Sequence, residues 1–135
     1  MTALEIPETI KEKIISHAAR DMPNEACGML AGHAGVVETH YEMSNSDQSG
    51  EHFTLVPAEQ FQVIKAIRAS GMSLLGIYHS HPASPARPSE EDIRLALTPD
   101  VVHVIVSMQT QDQPDIKGFD IKNGVVTRVP LNSVK

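Results

Sequence analysis

The sequence predicts an α/β sandwich around a mixed sheet. Three observations carry that prediction. Two stretches repeat apolar residues at helical spacing, several short β-branched runs are bounded by turn residues, and the run "VVHVIVSM" (101–108) is almost wholly apolar. A run of that last kind suits a central strand covered on both faces.

Taken in chain order, residues 7–20 place Ile6, Ile10, Ile14 and Ala18 four apart, with Pro7 suited to a first helical turn and Pro23 beyond the end. "ACGMLAG" (26–32) and "VVETHYE" (36–42) read as strands joined by the glycine-containing turn "HAG". A second helix is expected over 57–70, where Pro57 stands at the start, Phe61, Ile64 and Ile67 share a face, and Gly71 is the stop. "SLLGIYHSH" (73–81) reads as a strand with Leu75, Ile77, His79 and His81 on one face. "SEEDIRLAL" (89–97) reads as a helix stopped by Pro99, and after the central strand "IKGFDI" and "VVTRVP" form a hairpin about "KNG" (122–124). No repeat or linker interrupts the pattern, and 135 residues suit one domain spanning 1–135.

Composition excludes several classes. A hydrophobic fraction of 41% with 21% charged residues is that of a folded domain rather than a disordered chain. No window approaches the ~18–20 apolar residues of a membrane span, and the N-terminus lacks a basic flank followed by an apolar run. Cys27 stands alone, which forbids an internal disulfide and fits a reducing compartment, so a cytoplasmic location is expected. A net charge of -6 offers no basic footprint for nucleic acid or an anionic membrane.

The chemistry concentrates in "HSHPASPARPSEED" (79–92). On one strand face the Cα atoms of His79 and His81 would lie ~6.5–7 Å apart, within reach of one ion. A His-x-His pair alone is read more readily as two surface histidines at a strand end. Ser89-Glu90-Glu91-Asp92 likewise matches a helix start, with Ser89 as cap and acidic groups facing the helix dipole. The two readings coexist if that helix start docks over the strand end, with Pro82, Pro85 and Pro88 stiffening the connection. Two imidazoles and a carboxylate leave a fourth zinc position to water, the form of a catalytic site.

His79-Ser80-His81-Pro82 followed by Ser89-x-x-Asp92, with "NEACGMLAG" and its Glu25 upstream, resembles the JAMM (MPN-plus, Mov34/MPN/PAD-1) zinc metalloprotease motif, in the manner of its small stand-alone prokaryotic members. The resemblance covers nearly the whole chain and implies a JAMM/MPN-type α-β-α sandwich around a mixed, largely antiparallel sheet, cytidine-deaminase-like. It implies one zinc ion held by His79, His81 and Asp92, with Glu25 as general base and then general acid. Ser89 becomes an oxyanion donor, a contribution of ~2.7–4 kcal/mol in other acyl-transfer enzymes. The implied substrate is an amide at the C-terminal Gly-Gly tail of a ubiquitin-like or sulfur-carrier protein, with cysteine as one leaving group. Tail docking by strand addition at a sheet edge would suit such a substrate.

Rival classes fit the residues less well. Zinc deaminases need a Pro-Cys-x-x-Cys that one cysteine cannot supply, and a metallo-β-lactamase-like site needs Asp-His where this chain has Pro82-Ala83. A DNA-repair-associated JAMM relative and a metal-free MPN-type scaffold remain as alternatives. Asn45, Phe53 and Arg87 are possible substrate contacts, each equally readable as a turn, core or surface residue. His17, His33, His40, His52 and His103 are expected to be satisfied or solvent-facing, and Cys27 to be a small buried hydrophobe.

Overall fold

A computed structural model describes residues 3–98, 100–110 and 112–134. The elements run β1 (Leu4–Pro7), α1 (Glu8–Asp21), β2 (Cys27–His33), β3 (Val36–Met43), α2 (Pro57–Ala69), β4 (Ser73–His81), α3 (Glu90–Arg94), β5 (Val102–Ser107), β6 (Asp115–Lys122), β7 (Val125–Val129) and β8 (Leu131–Val134). Among the described residues the strands form one sheet in the order β7-β6-β5-β4-β2-β3-β1-β8. The pairs β4–β5, β1–β3 and β1–β8 are parallel and the others antiparallel, so the sheet is mixed as the sequence predicts.

Helix α1 covers one face of the sheet. Its Ile10, Ile14 and Ala18 pack with Leu30, Tyr78, Val102, Val104 and Val106. Burying an isoleucine such as Ile14 completely stabilises the fold by about 1.5–3 kcal/mol. On the other face α2 lies over Cys27, Met29, Ile77 and Val101, and α3 lies over Ile105, Phe119 and Ile121. The central position of β5 therefore agrees with its sequence, with apolar residues buried on both sides. Both expected hairpins turn through residues of positive φ, Ala34-Gly35 (50° and 77°) and Asn123-Gly124 (52° and 79°), the geometry that matches strand twist.

Four expectations are corrected, and two strands are added. Ile6 belongs to β1 rather than to the helix, and Pro7 ends that strand as the residue before α1. Neither β1 nor β8 was legible as a strand, because four-residue segments carry too little alternation; they pair with each other through Leu4–Leu131 and Ile6–Ser133. Of the predicted face of α2 only Ile67 is buried, and Phe61 is 66% exposed, since the helix meets the sheet along a narrow stripe. Leu75 leaves the Ile77–His79–His81 face because a bulge pairs Leu30 with Gly76 and Ala31 with Leu74, and Leu75 packs instead in the α1-side core. Helix α3 ends at Arg94 rather than Leu97, and its expected stop, Pro99, lies outside the described residues.

Candidate metal centre

The site forms where β4 ends, on the face shared by α2 and α3. Strand alternation sends His79 and His81 to this face, and both are buried at 3% and 4% exposure. Ser80, between them, points the opposite way. Its Oγ accepts the Ala26 N–H at 2.8 Å while its backbone N–H donates to the Ala26 carbonyl at 3.0 Å. This double tie fixes the segment before β2 against the end of β4, and so fixes Glu25 beside the two histidines. The sequence reading gave Ser80 no role. Its only signal was a polar residue on the buried alternate face of a strand.

The loop from Pro82 to Pro88 returns the chain to the start of α3. Ser89 caps that helix: its Oγ accepts the Asp92 N–H at 3.0 Å, and Asp92 Oδ2 accepts the Ser89 N–H at 2.9 Å. The same Oδ2 lies 3.1 Å from His79 Nε2 and 3.0 Å from His81 Nε2, and the two Nε2 atoms are 3.1 Å apart. Three donors in a near-equilateral triangle of this size match the ~3.3 Å edge of a tetrahedron with bonds of ~2.0–2.1 Å. These residues therefore fit a divalent ion, and His79, His81 and Asp92 are the described group that can hold a metal. His81 Nδ1 meets the Pro85 carbonyl at 2.9 Å, which orients the ring and leaves Nε2 for the centre of the triangle.

Burial opposes the charge on Asp92, but hydrogen bonds from His79 and His81 outweigh it and hold the carboxyl well below its usual range. Burial also works against a charged His81, and the Asp92 carboxylate with the Pro85 carbonyl reverses that, raising the imidazole. Glu25 is 2% exposed, and burial pushes its carboxyl up to about 8, offset in part by His81. Among the described residues its buried Oε1 has no hydrogen-bond partner, an arrangement that costs about 1–3 kcal/mol in a purely structural residue. The Cys27 thiol is raised by burial to about 12, in keeping with a small buried hydrophobe.

The possible substrate contacts separate. Asn45 is a structural clamp: its Nδ2 reaches the Glu25 carbonyl at 3.2 Å and the His52 carbonyl at 3.0 Å, while its Oδ1 accepts the N–H groups of Asp47 and Thr54. Phe53 stacks on the His79 ring, centroids 4.7 Å apart, and walls a cavity that His79 and Asp92 also line. Arg87 is exposed at a turn. Of the remaining histidines, His17 is bonded to Tyr78 and Asp21, His33 to Glu38, and His52 faces Glu91. His103 departs from expectation: its Nε2 is buried with no partner among the described residues, and burial lowers its pKa, as does the neighbouring His79.

The model of prokaryotic homologs of the JAB domain matches residues 7–122. The chain belongs to this family. It is 38% identical over 124 residues to the CysO-cysteine peptidase of Mycobacterium tuberculosis, covering 90% of this chain and 85% of that one. It is 35% identical over 111 residues to the desampylase of Haloferax volcanii, covering 77% and 80%. The solution structure of protein DSY2949 from Desulfitobacterium hafniense superposes with a TM-score of 0.90 at 40% identity, covering 98% of this chain and 93% of that one. As a member of the JAB family the chain shares the fold that the motif resemblance implied. Among the described residues no helix is long and apolar enough to cross a membrane.

Proposed function

We propose that this JAB-family chain is a zinc-dependent peptidase that hydrolyses the amide bond after the C-terminal Gly-Gly of a ubiquitin-like or sulfur-carrier protein. The observation that carries this reading is the donor triangle of His79, His81 and Asp92 beside the buried Glu25 carboxyl, whose Oε1 meets no partner among the described residues. The names of the relatives support the substrate class, since one is a peptidase for a CysO-cysteine adduct and another a desampylase.

When bound by His79, His81 and Asp92, zinc supplies Lewis acidity, bringing the pKa of a water toward neutrality and polarising a carbonyl. The rest of the work falls to the chain. Glu25, whose dry setting raises the proton affinity of its carboxylate, accepts in its ionised form a proton from the attacking water and passes it to the departing amine. Ser89 serves two purposes without conflict. Its oxygen accepts the Asp92 N–H, and its own O–H remains to donate to the oxyanion that develops on the scissile carbonyl. His81 is locked by Pro85, and Asp92 by the helix cap, so the ligands need no reorganisation during turnover. The single free thiol agrees with action in a reducing cytoplasm.

The test is to incubate zinc-loaded protein with a sulfur-carrier–cysteine adduct and with a carrier–lysine isopeptide, following release by mass spectrometry. Release of cysteine or of the lysine-bearing partner from the Gly-Gly terminus supports the reading and names the leaving group. Intact adducts after prolonged incubation with zinc-replete protein overturn it.

A further inference from the structure

A cavity of about 160 Å³ opens beside the metal ligands, between the loop bearing Phe53 and the end of α3. His79 and Asp92 line it, whereas Glu25, His81 and Ser89 are not among its walls. Beneath it, Ile77, Ile105 and Ile121 contribute hydrocarbon from β4, β5 and β6, and His103 contributes the polar side chain between them. The strand pairing explains the placement, since His103 sits opposite Ile77 and Phe119 on the face that also carries His79.

His103 is out of keeping with these surroundings. A histidine in a hydrocarbon floor normally finds a partner for each buried nitrogen, yet its Nε2 meets no described residue. His103 lines the cavity while Nε2 itself is covered, and a half-turn of the ring, which exchanges the positions of nitrogen and carbon, is the rearrangement that offers a nitrogen to an occupant.

The side of the scissile bond that this cavity serves follows from Glu25. A group that delivers a proton to the departing amine must face the leaving group, so the leaving group lies toward Glu25. Glu25 is absent from the walls of the cavity, which is therefore assigned to the acyl portion. Its occupant is therefore a side chain of the carrier tail close to the glycine pair. The carboxylates of Glu91 and Asp92 in its walls disfavour an anionic occupant.

We propose that His103 is a specificity-determining residue that selects, in the tail of the carrier, a side chain with an apolar stem and one uncharged hydrogen-bonding group. This rests on the peptidase reading given above. The hydrocarbon walls hold the stem, and the imidazole discriminates its tip from an isosteric hydrocarbon, because leaving a buried polar group unpaired is penalised more than adding a methyl is rewarded.

The experiment uses the zinc-loaded protein and tail peptides ending in Gly-Gly-Cys, in which each of the three residues before the glycine pair is in turn Thr or Val, and Gln or Met. At one position the polar member is expected to show a KM about tenfold lower than its isostere, with kcat little changed. His103→Leu is expected to erase that preference and His103→Gln to retain it, with folding checked by circular dichroism. In ¹⁵N-histidine spectra the preferred peptide is expected to move the His103 ring resonances of zinc-free protein. No preference in the wild type, or one that survives His103→Leu, overturns the proposal. If no peptide is hydrolysed the peptidase reading fails, and the spectra decide separately: a peptide that binds and moves the His103 resonances upholds the contact, and none doing so overturns it.

Discussion

The Ser89 hydroxyl oxygen and the Asp92 backbone N–H meet at 3.0 Å, and the Asp92 carboxylate returns the contact to the Ser89 N–H at 2.9 Å. The oxygen that completes this helix cap is the one presented to His79 and His81. Cap and ligand pose are one structure. Ser89→Ala is therefore expected to lower stability by about 1 kcal/mol, roughly 4 °C in Tm, from the lost cap. It is also expected to lower kcat by ~10²–10³ from the lost oxyanion donor. Ser89→Thr, which keeps both the cap and the hydroxyl, should retain most of each. Calorimetry beside hydrolysis of a carrier adduct reads the two effects apart.

Removing one corner of the donor triangle should empty it. Elemental analysis of dialysed wild type is expected to give about one zinc per chain, and folded His81→Ala and Asp92→Ala close to none. Stoichiometric zinc in both variants would reject this ligand set. Chelation should abolish hydrolysis in the wild type, and added zinc should restore it.

Glu25→Gln separates base from ligand. The variant is expected to keep zinc and lose hydrolysis by ~10²–10⁴. The zinc-free protein carries a second signature. With its carboxyl near 8 against 4.5 in the unfolded chain, native Glu25 holds a proton that the unfolded chain has lost, so stability falls as pH rises from about 4.5 to about 8. Urea unfolding of zinc-free Glu25→Gln should show a stability gain over wild type that is larger at pH 8 than at pH 5.

His17 gives the opposite slope. Burial depresses its pKa below 6.5 although Asp21 pulls the other way, and Tyr78 Oη lies 2.7 Å from its Nδ1. The unfolded chain then binds the extra proton, so this contribution is complete above pH 6.5 and is lost as pH falls through the folded value. The wild type should lose stability relative to His17→Gln on going from pH 7 to pH 5, measured on zinc-free protein by denaturant titration.

The Cys27 thiol, buried and raised to about 12, should resist Ellman's reagent at pH 8 in the native protein and react at once in guanidinium. Rapid native reaction would show that the segment after Glu25 opens readily.

Much of the sheet was legible because its periods are strong. The alternation through "SLLGIYHSH", the apolar run of β5 and the glycine turns place β2 to β7 within a residue or two of their observed ends. The strands β1 and β8 at one end of the sheet were not legible, since each is too short to show a period and is held by pairing, β1 between β3 and β8, and β8 along β1. Gly28 makes the same point from inside the sheet. A Cβ there would lie 2.3 Å from the Tyr41 carbonyl oxygen and from the Tyr78 ring, a close approach that no local pattern announces.

The residue types and spacing of His79, His81, Ser89 and Asp92 by themselves made a candidate donor set readable, because donor identity is a property of side chains and strand alternation is local, and the family resemblance they carry supplied the chemistry expected of it. Tertiary structure alone decided the rest. It brought Glu25 across to the histidines through the Ser80–Ala26 tie, turned Asn45 into a clamp, laid Phe53 on His79, and left His103 Nε2 without a partner among the described residues in the lining of a cavity. Each of those contacts joins segments distant along the chain, and their energies depend on burial and approach distance, which exist only after the sheet has closed between its helices.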